Sequence, residues 1–130
     1  LFRSHYLSKD KERNVTKAFN KQKYKTAKRS ELNYKYLGGL ADHHILDVNP
    51  ITGRPHQIRV QLSRMGCPIK GDKKYGASSF NTDRGIIHLH AYQLSFVHPV
   101  KKEPVFIEAE LPEKEQIWQM YRQLIPYKEL

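Results

Sequence analysis

The run from Asp47 to Leu62 constrains this chain more than any other stretch. His44, Leu46 and Val48 alternate with Ile45 and Asp47, the period-two pattern of a half-buried strand, and Asn49, Pro50, Thr52 and Gly53 then break it with turn chemistry. The residues that follow take a helical period. Ile58, Leu62 and Met65 recur at i, i+4 and i+7, which predicts a helix from His56 to Met65 with those three on its apolar face. Gly66 supplies the stop and Cys67-Pro68 the exit. Gly53 is expected to permit the tight strand-to-helix turn. Arg54, His56, Gln57 and Arg59 gather side-chain donors where a helix start also leaves backbone amides free, so the corner suits an anion.

The flanking sequence predicts an α+β fold, with a mixed, mainly antiparallel sheet and helices packed on it. Leu32, Tyr34 and Tyr36 alternate with polar neighbours as a strand closed by Gly38-Gly39, and Gly38 to Asp42 is a loop of a length that pairs it with His43 to Val48 as a hairpin. Residues 1–29 form a basic extended segment, read as strands joined by a turn from Lys9 to Asn14 at the edge of the domain, or as a disordered arm. Pro68 to Asp72 reads as a short extended piece, Gly76 to Gly85 as a loop, and His88 to His98 and Pro104 to Leu111 as strands. A last helix carries Ile117, Met120, Tyr121 and Leu124 as its stripe, has Glu113 and Glu115 near its start, and ends at Pro126. One domain accommodates all 130 residues.

Charge points to a polyanionic partner. The formal net charge is +10, and residues 1–40 hold eleven Lys or Arg against three Asp or Glu, a net of +8. Clustered cations of this kind release counterions from a phosphate backbone. A lone Cys67 excludes an internal disulfide, and no apolar run approaches spanning length, so a cytoplasmic location without membrane partners is expected.

Other chemistries are poorly served. Seven histidines include His43-His44 and the group His88, His90 and His98, but one cysteine and no HExxH motif give no metal-ligand spacing. No GxSxG elbow supports a serine hydrolase. No metal is expected from these residues.

The stretch Thr52-Gly53-Arg54-Pro55-His56-Gln57-Ile58-Arg59-Val60-Gln61-Leu62, followed by Gly66-Cys67-Pro68-Ile69-Lys70-Gly71-Asp72-Lys73-Lys74-Tyr75-Gly76, resembles the central signature of the RluA-type RNA pseudouridine synthases. His88-Leu89-His90-Ala91 through Phe96, His98 and Pro99 is similar to a later segment of the same family. The resemblance spans about Ser30 to Pro112 and implies that the chain is the C-terminal portion of the pseudouridine synthase catalytic domain.

That resemblance implies a reaction in which uracil is detached from its ribose in ribosomal or transfer RNA, turned, and rejoined through carbon without cofactor or metal. The family's nucleophile is an aspartate in an Arg-Leu-Asp context, assisted by a tyrosine, both upstream of the signature. Arg59 matches the basic residue that pairs with this aspartate, a role suited to a permanently charged planar fork. No Arg-Leu-Asp string occurs in the chain, and Asp10, Asp42, Asp47, Asp72 and Asp83 all stand in other contexts. The chain alone is therefore expected to be inactive, to need the N-terminal part of its own catalytic domain, and to self-associate where that part is missing. Arg54, His56, Gln57, Lys70, Lys73, Lys74 and Tyr75 are the expected RNA contacts, with Tyr75 either stacking on a base or lying in the core, and His56 and Gln57 either touching RNA or ordering the turn. The competing reading is a non-catalytic RNA-binding module of the same fold.

Overall fold

Strand β3, Lys28–Leu40, is the spine of the N-terminal part of the chain. In the computed structural model, which describes residues 1–40, 42–76, 86–114 and 116–125, it pairs antiparallel with β1 (Phe2–Asp10) on one side and with β4 (His43–Pro50) on the other. Strand β2 (Val15–Phe19) pairs antiparallel with the far side of β1, giving the order β2-β1-β3-β4. The basic segment is thus a hairpin, with β2 at the edge and β1 inside the sheet. Leu7 opposite Ala18 explains the order of this segment, since both are buried and join Val60 and Tyr75 in the core, with Val15 packed against it.

Helix α1, Gln57–Arg64, packs on the face formed by β1 and β2. It ends as expected: Gly66 takes φ 85°, its amide donates to the Ser63 carbonyl, and the Cys67 amide donates to that of Leu62. Its buried face differs from the expected one. Gln57, Val60, Gln61 and Leu62 are buried, whereas Ile58 and Met65 are not fully covered. The two glutamines displace the apolar candidates because β3 and β1 offer partners for their carboxamides. Gln61 Nε2 donates to His5 Nδ1 at 2.9 Å and lies 3.4 Å from the Ser30 carbonyl, all three residues being at most 5 % exposed.

Three other boundaries move. Gly38-Gly39 does not end β3. The strand runs through to Leu40, and its register against β4 slips between Tyr36 and Gly38 as a bulge. At Gly39 a Cβ would lie 2.8 Å from the Tyr36 hydroxyl and 3.0 Å from His44 Nδ1, two groups that hydrogen-bond to each other over it at 3.0 Å. Strand β4 continues to Pro50, held by pairing with Leu32, so the turn begins later than its proline suggests. Pro68 to Asp72 is a turn, not a strand, and leads into a single 3-10 turn over Lys73–Tyr75.

The chain divides into two compact units, residues 1–88 and 89–130. The second contains an antiparallel ribbon of β5 (Gln93–Val97) and β6 (Pro104–Glu108), shorter than the runs expected from His88 and to Leu111. His98 organises the ribbon's turn: Nδ1 accepts the amides of Val100 and Lys101, and its carbonyl accepts that of Lys102. Helix α2, Gln116–Tyr121, passes into a 3-10 turn at Arg122–Leu124. Of its expected stripe only Tyr121 is buried, with Met120 and Leu124 exposed. The expected loop beyond Gly76, Glu115 and the Pro126 stop lie outside the described residues. Among the described residues no helix is long and apolar enough to cross a membrane.

Candidate active site

The turn between β4 and α1 is tied to one peptide of β3. The Glu31 carbonyl accepts the amides of Ile51 (2.9 Å) and Thr52 (3.3 Å) and the side-chain amide of Gln57 (3.0 Å). The Glu31 amide donates to Thr52 Oγ (2.9 Å), which in turn donates to Gln57 Oε1 (2.6 Å), and the same Oε1 accepts the Arg54 amide (3.0 Å). Gln57 is 4 % exposed. It therefore orders the turn, one of the two roles open to it from sequence, and every polar atom of its carboxamide is engaged. Arg54 joins the same framework through Nε, which donates to the Arg29 carbonyl at 3.2 Å.

The backbone solution to the tight turn is not the expected one. Gly53 does not lie at positive φ, and a Cβ placed on it meets nothing within 4 Å. The left-handed residue is His56, at φ 56° and ψ 16°, immediately before the helix. A non-glycine residue held there stores about 1–3 kcal/mol, and its ring accounts for the position. His56 Nδ1 lies 2.7 Å from the Tyr75 hydroxyl, edge to face with that ring at a centroid distance of 5.6 Å. The Tyr75 oxygen also accepts the Thr16 amide at 3.2 Å. Burial first, then the neighbouring charges of Arg59, Lys74 and Lys9, push the His56 imidazole below its ordinary pKa, which favours the neutral ring.

Arg59 projects from the first turn of α1 onto Asp72. Nε donates to Oδ2 and Nη2 to Oδ1, each at 2.8 Å, a two-pronged pair in which Asp72 is fully buried and the Arg59 side chain is 18 % exposed. The guanidinium lies over the Tyr75 ring, 4.9 Å from its centroid. The bond to Asp72 raises the Arg59 pKa above its ordinary value. Nη1 is left without a partner among the described residues, on a group whose other two nitrogens are fixed.

The sequence groups Arg54, His56, Gln57 and Arg59 in one corner, and the structure adds Tyr75 to it through His56 and Arg59. Tyr75 takes the core alternative: at 7 % exposed it packs with Leu7, Ala18 and Val60 and offers no face to a base. Lys73 and Lys74 stand exposed on the 3-10 turn, and Lys70 is half-buried. The missed residue is Asp72, the partner of Arg59. Among the described residues no three His, Cys, Asp or Glu side chains converge as a metal-ligand set.

No family model matches the chain. It is 38 % identical over 89 residues to ribosomal large subunit pseudouridine synthase C of Vibrio cholerae, a match covering 65 % of this chain and 28 % of that protein. It is also 38 % identical over 96 residues to an uncharacterized RNA pseudouridine synthase of Synechocystis, over 72 % of this chain and 29 % of that protein. Among solved structures, human RNA pseudouridylate synthase domain containing 1 superposes with a TM-score of 0.66 at 25 % identity, over 95 % of this chain and 58 % of that chain. Human RNA pseudouridylate synthase domain containing 4 has the same TM-score at 21 % identity, a likeness of fold alone. The chain spans under a third of the length of these curated relatives.

Proposed function

We propose, from the premise that this chain belongs to the RluA-type RNA pseudouridine synthase family, that it supplies the arginine half of an active site that isomerises uridine to pseudouridine in RNA. The fold is α+β and corresponds to a portion of the pseudouridine synthase fold. Ribosomal or transfer RNA in the cytoplasm is the substrate this reading expects.

In this reading Asp72 is not the nucleophile. A fully buried carboxylate with both oxygens bonded to a guanidinium has no path to a sugar carbon. Its role is to hold Arg59 by two prongs, so that Nη1 meets a second carboxylate, contributed by protein outside these 130 residues. That second carboxylate, stabilised as an anion by the guanidinium, is the attacking group. The observation that carries the reading is this fixed, partly exposed arginine within a stretch shared with named pseudouridine synthases.

The test is turnover of uridine-containing RNA by the complete protein. Arg59→Ala should abolish pseudouridine formation while leaving RNA affinity largely intact, and Arg59→Lys should not restore it, since a point charge cannot hold both carboxylates in a plane. Near-normal turnover by Arg59→Ala would overturn the assignment. If the complete wild-type protein binds RNA but forms no pseudouridine, the non-catalytic binding module is the correct reading.

A further inference from the structure

Residues 9–29 carry nine Lys or Arg against two Asp or Glu, and none of these side chains bonds to the Arg59–Asp72 pair. The structure gives this charge a shape. Between β2 and α1 runs an open groove of about 380 Å³, lined by Ala18, Phe19 and Val60 and by the cationic residues Lys17, Arg64 and Lys74. At its end Phe19 and Tyr24 form an edge-to-face pair, centroids 5.9 Å apart at 75°, and Lys23 Nζ lies 5.3 Å from the Phe19 centroid. Tyr24 is 50 % exposed, in a turn closed by the Ala27 amide on the Tyr24 carbonyl and by Gln22 Nε2 on the Ala27 carbonyl.

We infer that this groove and its aromatic end form a second RNA contact, one that binds an unpaired strand by stacking a base on Tyr24 and lodging its phosphates among Lys17, Lys23 and Lys74. The inference rests on the proposed RNA reading and adds to it the single-stranded character of the contact. Two physical features select that occupant. An exposed ring already braced by a neighbouring ring offers a π-face at little entropic cost, and only an unstacked base can use it. A duplex keeps its bases stacked and is held through phosphates and 2′-hydroxyls, for which lysines alone suffice. The free edge of β2 could instead receive a peptide strand, but the cationic rim then restricts that strand to an acidic sequence.

The experiment is fluorescence anisotropy of this chain with a short labelled oligouridylate, a blunt RNA duplex and an oligoglutamate peptide, over a range of salt. The single strand should bind more tightly than the other two. Tyr24→Ala should weaken it roughly tenfold or more with the salt slope unchanged, and Tyr24→Phe should restore it. Lys17→Ala with Lys23→Ala should lower the slope of log K against log salt by about 0.7 for each phosphate no longer neutralised. A matched pair in the other unit, Lys101→Ala with Lys102→Ala, serves as the control, and circular dichroism confirms the fold of each variant. Absence of single-strand binding, preference for the duplex or the acidic peptide, or wild-type behaviour of Tyr24→Ala would each overturn the inference. Failure of the synthase reading shows separately, as absence of pseudouridine from the complete protein.

Discussion

Arg59 grips Asp72 by two parallel 2.8 Å bonds, and the carboxylate it grips is the most deeply buried charge described in the first unit. Removing one partner of such a pair leaves the other charge largely buried and uncompensated, which typically costs about 3–5 kcal/mol. Asp72→Ala should therefore lower the free energy of unfolding by about that amount, as read from urea denaturation. Arg59→Ala should cost no less than Asp72→Ala, because it strands the fully buried member. A double variant less destabilised than the sum of the two singles would demonstrate the coupling.

Two glycines in the signature stretch should respond in opposite ways to alanine. Gly53 has open space around the Cβ position and no positive φ, so Gly53→Ala should leave stability unchanged or raise it by about 0.4–1 kcal/mol through the unfolded state. Gly71 sits at φ 86° with the Ile86 carbonyl oxygen 1.7 Å from where a Cβ would stand. Gly71→Ala should prevent a cooperative thermal transition altogether. Calorimetry of the two variants side by side checks both.

Stability should fall on mild acidification. His5 is held below its ordinary pKa of 6.5 by burial and by Arg64 and Arg3, and His56 by burial and by Arg59, Lys74 and Lys9. In each case the unfolded chain takes up a proton before the folded one does. The stability associated with the neutral rings is complete above pH about 6.5 and declines as pH drops from there through their folded values. The His5 ring also accepts the Gln61 side-chain amide at Nδ1, a bond that protonation there would remove. Thermal melts between pH 7.5 and 5 should show this decline, and His5→Asn with His56→Asn should flatten it.

The carboxamide of Gln57 has three direct partners, the Thr52 hydroxyl, the Arg54 amide and the Glu31 carbonyl, and reaches the Glu31 amide through Thr52. Gln57→Leu leaves the Arg54 amide and the Thr52 hydroxyl without their acceptor, at about 1–3 kcal/mol each, while the Glu31 carbonyl keeps the amides of Ile51 and Thr52. Gln57→Glu keeps the two acceptor contacts and sets a carboxylate against the Glu31 carbonyl. Both variants should be destabilised in urea, and in the complete protein both should lower turnover by disturbing the turn that delivers Arg59.

The β3 and β4 pairing, the turn and the stop of α1 at Gly66 were legible because each rests on local chemistry: alternation, turn residues and a left-handed glycine. The face of α1 was not. A count of apolar residues favours Ile58 and Met65, whereas the sheet beneath presents His5 and the backbone of Ser30 and Glu31, which only carboxamides such as those of Gln57 and Gln61 can satisfy. That preference is set by the partner strand and has no trace in the helix's own period. The left-handed His56 was hidden for the same reason, since what stabilises it is Tyr75, nineteen residues on. Arg59 was legible as a candidate from the signature, but its partner was not, because a buried Asp72 becomes recognisable only once the turn after Ile69 folds back on α1. The basic groove was visible as charge and invisible as a groove, because its walls come from β2, α1 and Lys74.

Strand β3 pairs with β1 and β4 at once around Leu32 and Asn33; its start lies mainly against β1 and its end against β4. Glu31, the peptide that anchors the signature turn, stands next to that overlap. A splice joint in timber is strongest where the two members run side by side, and the turn is fastened at such a joint. Bending of the long β3 arm toward Leu40 or of the β1 hairpin toward Lys28 would then pivot about the place where the turn is nailed. The arginine's address is thereby insulated from movement at either end of the sheet.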